Sequence, residues 1–373
     1  MVRADRFVAV TALGLALLSC LMSVSVTAAE PRPALAGARS AASGPADLAT
    51  ASVPGTVAPA VPTALALPGR AKGVALYDFL EFWGDDAAGM RTAFGELHAA
   101  GVTWARLHLA YGPRASTRLA AATSAAQAHG VRLVVVLHKP PPFKDLGTPA
   151  DRAAYRAWVA VTVRRFKASV HYWEIMGEPN LRYTWNIDNR KGSNQTAYAA
   201  SVRRYVTLLK DGYTTIKKAD PQAVVLFGGL SESTVDRYLT VLMTTDAYRY
   251  FDIMAFHPYA RTPDIAMARY TAFRAKMASR PGYAGKPLWM TEFGFNTSWT
   301  NKPGYVTSET TKAKYLVESM RRLSAAGGAA PVFGFTLNGN NHLNPGFGLI
   351  TMDRSSMKPH RLPAFDAVRK LRL

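Results

Sequence analysis

The sequence predicts an α/β fold, with eight strand–helix units closed into a (β/α)8 TIM barrel. Three observations carry the prediction. Beyond residue 70, short runs rich in β-branched and aromatic residues alternate eight times with longer segments of helical period. Each unit has room for a strand, a crossover helix and two loops, which is the arithmetic of a parallel barrel. The chain of 373 residues is 49% hydrophobic, enough for one large core. A doubly wound open sheet is the alternative. It ordinarily carries a glycine-rich phosphate loop after its first strand, and here that place reads LYDFLEFWGDD.

The elements follow in order. Residues 1–29 show a positive start at Arg3 and Arg6, an apolar stretch and small residues before Ala29, the signature of a secretory signal peptide. The apolar run from Phe7 to Val26 approaches spanning length, and LLSC at Cys20 resembles a bacterial lipobox. A retained anchor and lipid attachment at Cys20 are therefore the competing expectations. Cleavage near residue 28 removes Cys20, the sole cysteine, and with it any disulfide or thiol chemistry. Residues 30–70 are dominated by Ala, Pro, Gly, Ser and Thr, have no aromatic residue and keep no period, as a disordered tether does. The folded domain is then 71–373. Its strand-like runs lie at 73–79, 103–110, 132–139, 171–178, 223–230, 251–259, 286–295 and 331–339. Helical stretches include 149–168, 196–219, 264–280 and 308–326, with Gly101, Gly130 and Gly327 where helices close in a left-handed cap.

The formal net charge is +20, and residues 1–70 hold only five Lys/Arg against three acids, so the excess belongs to the folded part. Such a charge steers a protein to nucleic acid, an anionic envelope or an acidic polymer, or reflects no more than an Arg- and Ala-rich proteome. Nucleic acid is not an expected partner, because no helix-turn-helix, zinc finger or dense basic block with interleaved aromatics occurs. Eight scattered histidines without HxH or HExxH predict no metal site. No G-x-S-x-G follows a strand, and no cofactor is implied.

In a parallel barrel the active site gathers at the C-terminal ends of the strands. Here those ends carry Asp78, Arg106 with His108, His138, Glu178 with Asn180, His257 with Tyr259, Glu292 and Asn338. The stretch HYWEIMGEPN ends an apolar run on Glu178, held between Gly177 and Pro179. Glu292 is a charge within the apolar run KPLWMTEFGF, a position that needs a reason. Two carboxyl groups on one rim can break a glycosidic bond. One protonates the leaving oxygen and the other attacks the anomeric carbon, and retention of configuration needs about 5–5.5 Å between them. Glu174 shares parity with Glu178 and so points to the same face. It reads as a structural charge paired with Arg106 or another inward base.

WEIMGEPN and PLWMTEFGF resemble the two glutamate motifs of the clan of retaining (β/α)8 glycoside hydrolases, which includes cellulase-like, mannanase-like and β-xylosidase-like families. The resemblance spans roughly 73–340. It implies Glu178 as acid/base and Glu292 as nucleophile. Arg106 resembles the clan's arginine near the nucleophile, and His138 the histidine after strand three. HPY at 257–259 is similar to the His-x-Tyr of strand six, whose tyrosine, here Tyr259, hydrogen-bonds the nucleophile. With the export signal, this predicts a secreted hydrolase of O-glycosyl compounds, monomeric and without a stable membrane span after cleavage. Its partner is a polysaccharide or oligosaccharide, and an anionic one is a candidate.

Two departures stand out. Gly177 replaces the clan's asparagine, which binds the sugar 2-hydroxyl, and FGFTLNG on strand eight lacks the tryptophan that floors the −1 subsite. Asn338 is a candidate for a hydrogen bond there, and the loop residues Trp83 and Trp299 are candidate stacking faces, with Trp185 of similar character. Asn180 binds substrate or caps its loop, His138 and His257 bind substrate or fill the core, and Arg106 belongs to the site or simply pairs with Glu174. Two other classes fit the same residues. One is a glycan-binding barrel without turnover, and the other a transglycosylase acting on an envelope polymer.

Overall fold

The computed structural model describes residues 68–76, 86–138, 148–185, 187, 192–298, 300, 304–339, 345–353 and 358–373. The signal peptide with Cys20, most of the tether, and the candidate aromatics Trp83 and Trp299 lie outside the described residues.

The chain runs β1 (Ala71–Leu76), α1 (Ala87–Ala99), β2 (Trp104–Ala110), α2 (Ala115–Ala128), β3 (Arg132–His138), α3 (Pro149–Phe166) and β4 (Tyr172–Ile175). It continues with the one-turn α4 (Arg182–Trp185), α5 (Gln195–Ala219), β5 (Val224–Phe227), β6 (Leu230–Ser231), α6 (Val235–Leu242), β7 (Met254–His257) and α7 (Pro263–Ala278). The short α8 (Pro281–Ala284), β8 (Leu288–Phe293), α9 (Glu309–Gly327), β9 (Pro331–Phe335), β10 (Ile350–Met352), β11 (Pro359–Arg361) and α10 (Pro363–Lys370) complete it. Strand order in the main sheet is β5-β4-β3-β2-β1-β9-β8-β7-β6, and all its pairs are parallel. A parallel bridge from Leu226 to Ile253 joins β5 to the segment leading into β7 and closes the ring. The expected eight-stranded barrel is the fold.

One expected strand is divided. The run 223–230 breaks at Gly228 and Gly229 because other groups occupy the space their side chains would need. A Cβ on Gly228 would lie 2.5 Å from the Met176 carbonyl oxygen, and one on Gly229 2.1 Å from His257 Nε2. Barrel strands six, seven and eight are therefore β7, β8 and β9.

Polar residues start the helices. Asp86, Thr148, Asn194, Thr262 and Ser308 each accept backbone N–H bonds at a helix N-terminus, and proline follows directly at Pro149 and Pro263. Gly101 and Gly130 take positive φ beyond α1 and α2, while after α9 it is Gly328, not Gly327, that has positive φ, with ψ −135° rather than a left-handed helical cap.

The barrel floor is aromatic. Trp104, Tyr172, Trp289 and Phe333 pack with ring centroids 4.9–6.5 Å apart. Gly73 makes this possible, since a Cβ there would lie 2.6 Å from the Phe333 ring. Below the floor, Lys72 Nζ donates to the carbonyls of Ala100 and Val368, both at 2.9 Å, tying β1 to the ends of α1 and α10. Apolar packing thus fills the N-terminal end of the barrel and leaves the opposite end to polar groups. No helix among the described residues is long and apolar enough to cross a membrane.

Candidate active site

Glu292 reaches the barrel interior through a bulge. Between β8 and β9 the partners are Met290 with Val332 and Phe293 with Gly334, three steps on one strand against two on the other. Strict alternation would turn one of Thr291 and Glu292 outward. With the extra residue both face polar partners. Thr291 Oγ1 lies 3.1 Å from His257 Nε2. Glu292 accepts from Arg106 Nη1 at 2.9 Å on Oε2, and from the Tyr259 hydroxyl at 2.8 Å on Oε1.

Glu178 follows β4 on a tightly held turn. Met176 (φ 67) and Glu178 (φ 48) both occupy the left-handed region, which non-glycine residues rarely adopt and which clusters at functional sites. The Glu178 amide donates to the Gly229 carbonyl at 2.9 Å. Its own carbonyl accepts from the Leu181 amide and the Thr184 hydroxyl. So pinned, the side chain places Oε1 3.1 Å from His257 Nδ1, and Oε2 accepts from the Tyr183 hydroxyl at 2.6 Å. One oxygen of Glu178, one of Glu292 and a ring nitrogen of His257 all lie within 4.8 Å of one another.

Arg106, 1% exposed, organises the floor of this cluster. Its Nε and Nη2 donate to Glu174 at 2.7 and 2.8 Å, and Glu174 also accepts from the Gly229 amide at 2.8 Å. Glu174 is the inward structural charge that strand parity predicts. Arg106 is both its partner and a ligand of Glu292.

Burial pushes the Glu292 carboxyl above its usual range, against the pull of His257, Arg106 and the Tyr259 hydroxyl. Burial acts on Glu178 in the same sense. There the hydrogen bond and charge of His257, the Tyr183 hydroxyl and Arg106 prevail and hold the carboxyl low. The Tyr259 phenol is driven well up by burial and by Glu292, so it remains a donor. Burial and the neighbouring Arg106 keep His108 uncharged at neutral pH. The spacing of Glu178, His257 and Glu292 would also suit a cation. Arg106, however, already supplies fixed positive charge beside Glu292, which disfavours a metal there.

Of the residues singled out by sequence, Glu178, Glu292, Arg106, His257 and Tyr259 meet in this cluster. His138 ends β3 and stacks on His108, with centroids 5.2 Å apart. Asn180 is different. It is 0% exposed, its amide donates to the carbonyls of Ser231 (2.9 Å) and Ser233 (2.6 Å), and its oxygen accepts from the Ser231 amide (3.1 Å). That makes it a strut between two rim loops rather than a substrate contact. Asn338 lies half-buried past β9, bridging to Ile350. Trp185 is buried, with its indole N–H on the Ser201 carbonyl at 2.9 Å, and so anchors its turn instead of facing sugar. Sequence reasoning missed Tyr183 and Thr291. Tyr183 sits in an aperiodic turn with no pattern to mark it, and Thr291 is recruited only by the bulge. At Gly177 a Cβ would lie 3.4 Å from Arg106 Nη2 and 3.5 Å from His108 Cε1, ordinary contacts, so the fold does not demand glycine there.

These features define a (β/α)8 barrel with its polar cluster at the C-terminal ends of β4, β7 and β8, joined by Arg106 from within β2, at the pole where parallel barrels keep their active sites. No protein-family profile matches the chain, and no curated protein matches its sequence. Among solved structures it is similar to the virulence factor SghA from Agrobacterium tumefaciens, at 12% identity and TM-score 0.59 over 81% of this chain and 96% of that one. SghA is also solved with its substrate analog salicin. A family 1 β-glucosidase from Thermotoga maritima matches at 13% identity and TM-score 0.57, over 80% and 96% of the two chains. A calcium-binding mutant of β-glucuronidase 2 from Bacteroides uniformis matches at 13% and 0.56, over 78% of this chain and 33% of that one. At such identities the likeness establishes the barrel fold and nothing finer.

Proposed function

We propose that the protein is a secreted, monomeric, retaining glycoside hydrolase that cleaves O-glycosidic bonds of a polysaccharide or oligosaccharide with two glutamates. The observation that carries this reading is the approach of Glu178 and Glu292, with oxygens within 4.8 Å, at the strand ends of the barrel. Retention calls for carboxyls about 5–5.5 Å apart, whereas inversion needs about 6.5–9.5 Å to admit a water between them. That the structural neighbours include a β-glucosidase and a β-glucuronidase supports the same reading.

In the first step Glu292 attacks the anomeric carbon as the bond to the leaving oxygen breaks, and Glu178 gives that oxygen its proton. Arg106 and Tyr259 hold the two oxygens of Glu292 for in-line approach. In the second step Glu178, now ionised, takes a proton from water, the water oxygen attacks the same carbon, and Glu292 leaves as carboxylate. Esterified Glu292 no longer repels charge at Glu178, which suits Glu178 to act as the base of the second step, and the returning Glu292 carboxylate favours its reprotonation. In the structure the pair leans the other way, with Glu178 held low and Glu292 raised. Two carboxyls this close titrate as one system, so the arriving substrate has to move their shared proton to Glu178.

Gly177 favours a second reading, a barrel that binds glycan with little turnover. A Cβ there would meet only ordinary contacts, and the contact to the sugar 2-hydroxyl that the clan's asparagine supplies is missing. An anionic substrate is supported by the net charge of +20. A cavity of about 370 Å³ past the end of β2, lined by Tyr111, Arg114 and Arg118 among others, points the same way.

The test is a panel of polysaccharides and aryl glycosides, β-glucosides and β-glucuronides included, with Glu178→Ala and Glu292→Ala beside the native protein. Release of sugar with retained anomeric configuration, lost in both variants, is expected. Cleavage by either variant at the native rate would refute the assignment. Binding without release would support the second reading, and longer oligosaccharide products would reveal transglycosylation. Equal, salt-independent binding of acidic and neutral glycans would remove the anionic class.

A further inference from the structure

Parallel strands joined by returning helices bring the strand starts and the ends of the long helices to one pole of the barrel, opposite the glutamate cluster. Side-chain contacts tie this pole together. Lys72 at the start of β1 reaches the ends of α1 and α10, and Lys217 at the end of α5 reaches Asp252, before β7, at 2.8 Å. The pole is basic. Arg164 and Arg165 end α3, Lys218 ends α5 and Lys370 ends α10, while Arg70 precedes β1 and Arg132 opens β3. All six are exposed, and none forms an ion pair among the described residues. The acids nearby are engaged. Asp252 holds Lys217, Glu96 takes Arg361, Asp366 takes Arg369, Asp246 accepts from the Tyr250 hydroxyl, and Asp220 is buried. Helix dipoles favour cations in last turns, but they do not explain six that no acid answers. Acids in first turns lie at the other pole, at Asp151, Asp236, Asp264 and Glu309. Asp151 and Arg164 stand about 20 Å apart along α3, twice the Debye length of roughly 8–10 Å at ordinary salt. A surface that meets the basic pole is therefore screened from the acids of the opposite one.

We propose that this pole is a docking face for a membrane surface rich in anionic phospholipid, on which the barrel sits with its glutamate cluster turned away. Charge complementarity selects an anionic partner, and the connectivity of the chain favours lipid over a free polymer. Residues 30–70 enter the barrel at Ala71, at this same pole. The apolar run Phe7–Val26, a sequence of the kind that directs a chain to a membrane, is thus joined to the basic end and not to the active one. Cations spread over three helix ends and two strand starts suit a plane of headgroups, which meets them together. Each basic residue at an anionic lipid surface strengthens binding about fivefold, so the cluster holds the barrel peripherally without a span. The proposal does not depend on the hydrolase reading. Joined to it, docking turns the site toward glycan outside the membrane.

The test is sedimentation of the full chain with vesicles of phosphatidylcholine alone or mixed with phosphatidylglycerol. Binding to phosphatidylcholine measures what residues 1–29 contribute and sets the baseline. The native chain should bind the mixed vesicles at least about tenfold more tightly than that, and should lose the excess in high salt. Arg164→Gln, Arg165→Gln, Lys218→Gln and Lys370→Gln together should weaken binding to the mixed vesicles at least about tenfold. Arg91→Gln, Arg182→Gln, Arg203→Gln and Arg261→Gln, which remove as many exposed cations from elsewhere, should weaken it less than about threefold. Thermal midpoints check that both variants fold. If the first does not, its α3 pair and its Lys218–Lys370 pair are neutralised separately, and each should weaken binding at least about threefold. Equal losses in the two variants would overturn the proposal in favour of net charge alone, and equal binding of the native chain to both kinds of vesicle would overturn it outright. Binding to soluble polygalacturonate that needs the basic pole, without preference between vesicles, would replace the lipid with an acidic polymer.

Discussion

Replacing Arg106 with methionine tests the electrostatic frame of the site. The guanidinium is 1% exposed and makes three charge-assisted contacts, at 2.7 and 2.8 Å to Glu174 and 2.9 Å to Glu292. Hydrogen bonds to charged groups contribute about 1.5–3 kcal/mol each, but three on one side chain do not add. The better guide is the loss on removing one partner of a buried ion pair, about 3–5 kcal/mol, because the remaining charge is stranded. Methionine fills much of the arginine volume, so the cost is electrostatic rather than a cavity. Against a total stability of about 5–15 kcal/mol, the variant should fold but lose a large share of its margin in urea denaturation. The loss should depend on pH with a definite sign. Arg106 opposes the upward push of burial on Glu292, so without it the folded-state affinity of Glu292 for a proton rises further above the unfolded value. The variant then binds more protons folded than unfolded in that window, and its stability falls as pH rises through it. Its deficit should accordingly shrink in acid. The acid limb of kcat/KM, where Glu292 must ionise, should move to higher pH by at least one unit, about 1.4 kcal/mol. A variant within about 1 kcal/mol of the native protein at neutral pH, or one whose acid limb stays put, would show that Arg106 does not govern this cluster.

Other outcomes are expected. Asn180→Ala strands the Ser231 and Ser233 backbone groups and should cost about 1–3 kcal/mol in urea denaturation with little change in KM. A raised KM with full stability would return Asn180 to the substrate. Gly229→Ala puts a Cβ 2.1 Å from His257 Nε2 and should push the imidazole off Glu178 and Thr291, lowering kcat/KM at least tenfold, about 1.4 kcal/mol in barrier. Native kcat/KM in that variant would argue that His257 does not position the acid. At Gly177 a Cβ meets only ordinary contacts, so Gly177→Asn should fold with an unchanged thermal midpoint and raise kcat on a substrate with a free 2-hydroxyl. An unchanged kcat would mean that the missing contact does not limit turnover.

The barrel was legible because its signal is repeated. Eight apolar runs of strand length, each followed by a helical stretch, leave little choice of architecture, and the polar residues at the run ends mark the pole to search. Glu178 and Glu292 could be read because charges closing or interrupting apolar strands need a reason. What the sequence concealed were places where chain geometry overrides alternation. The β8 bulge admits Thr291 and Glu292 to one cavity, and no period-2 pattern announces an extra residue. Gly228 and Gly229 divide a strand because Met176 and His257, distant in sequence, claim their side-chain space. Tyr183 and Asn180 both follow Glu178 within five residues in an aperiodic turn, yet one reaches back to the carboxylate and the other braces the next loop. Only the coordinates of the turn separate them.

The donor sets of the two glutamates give a reason to assign their roles that does not depend on resemblance. Three carboxylates surround Arg106, the one permanent cation among the described side chains in contact with them. Leaving all three ionised in so buried a space is costly, and one proton on the cluster relieves it. Glu174 accepts three bonds, two from Arg106 and one from the Gly229 amide, and has no need of a proton to satisfy its oxygens. Glu292 has a guanidinium and a phenol, donors that neither titrate near neutral pH nor swing into solvent, so its oxygens are held as acceptors throughout a catalytic cycle. Glu178 instead faces an imidazole, itself an ionisable group, at 3.1 Å and accepts from the hydroxyl of the exposed Tyr183. A nucleophile needs the first kind of support, since its charge must persist until attack. A group that donates a proton in one step and accepts one in the next needs the second. Under the proposed hydrolase function, these donor sets assign the shared proton to the Glu178 side when substrate is bound and leave Glu292 as the carboxylate that attacks.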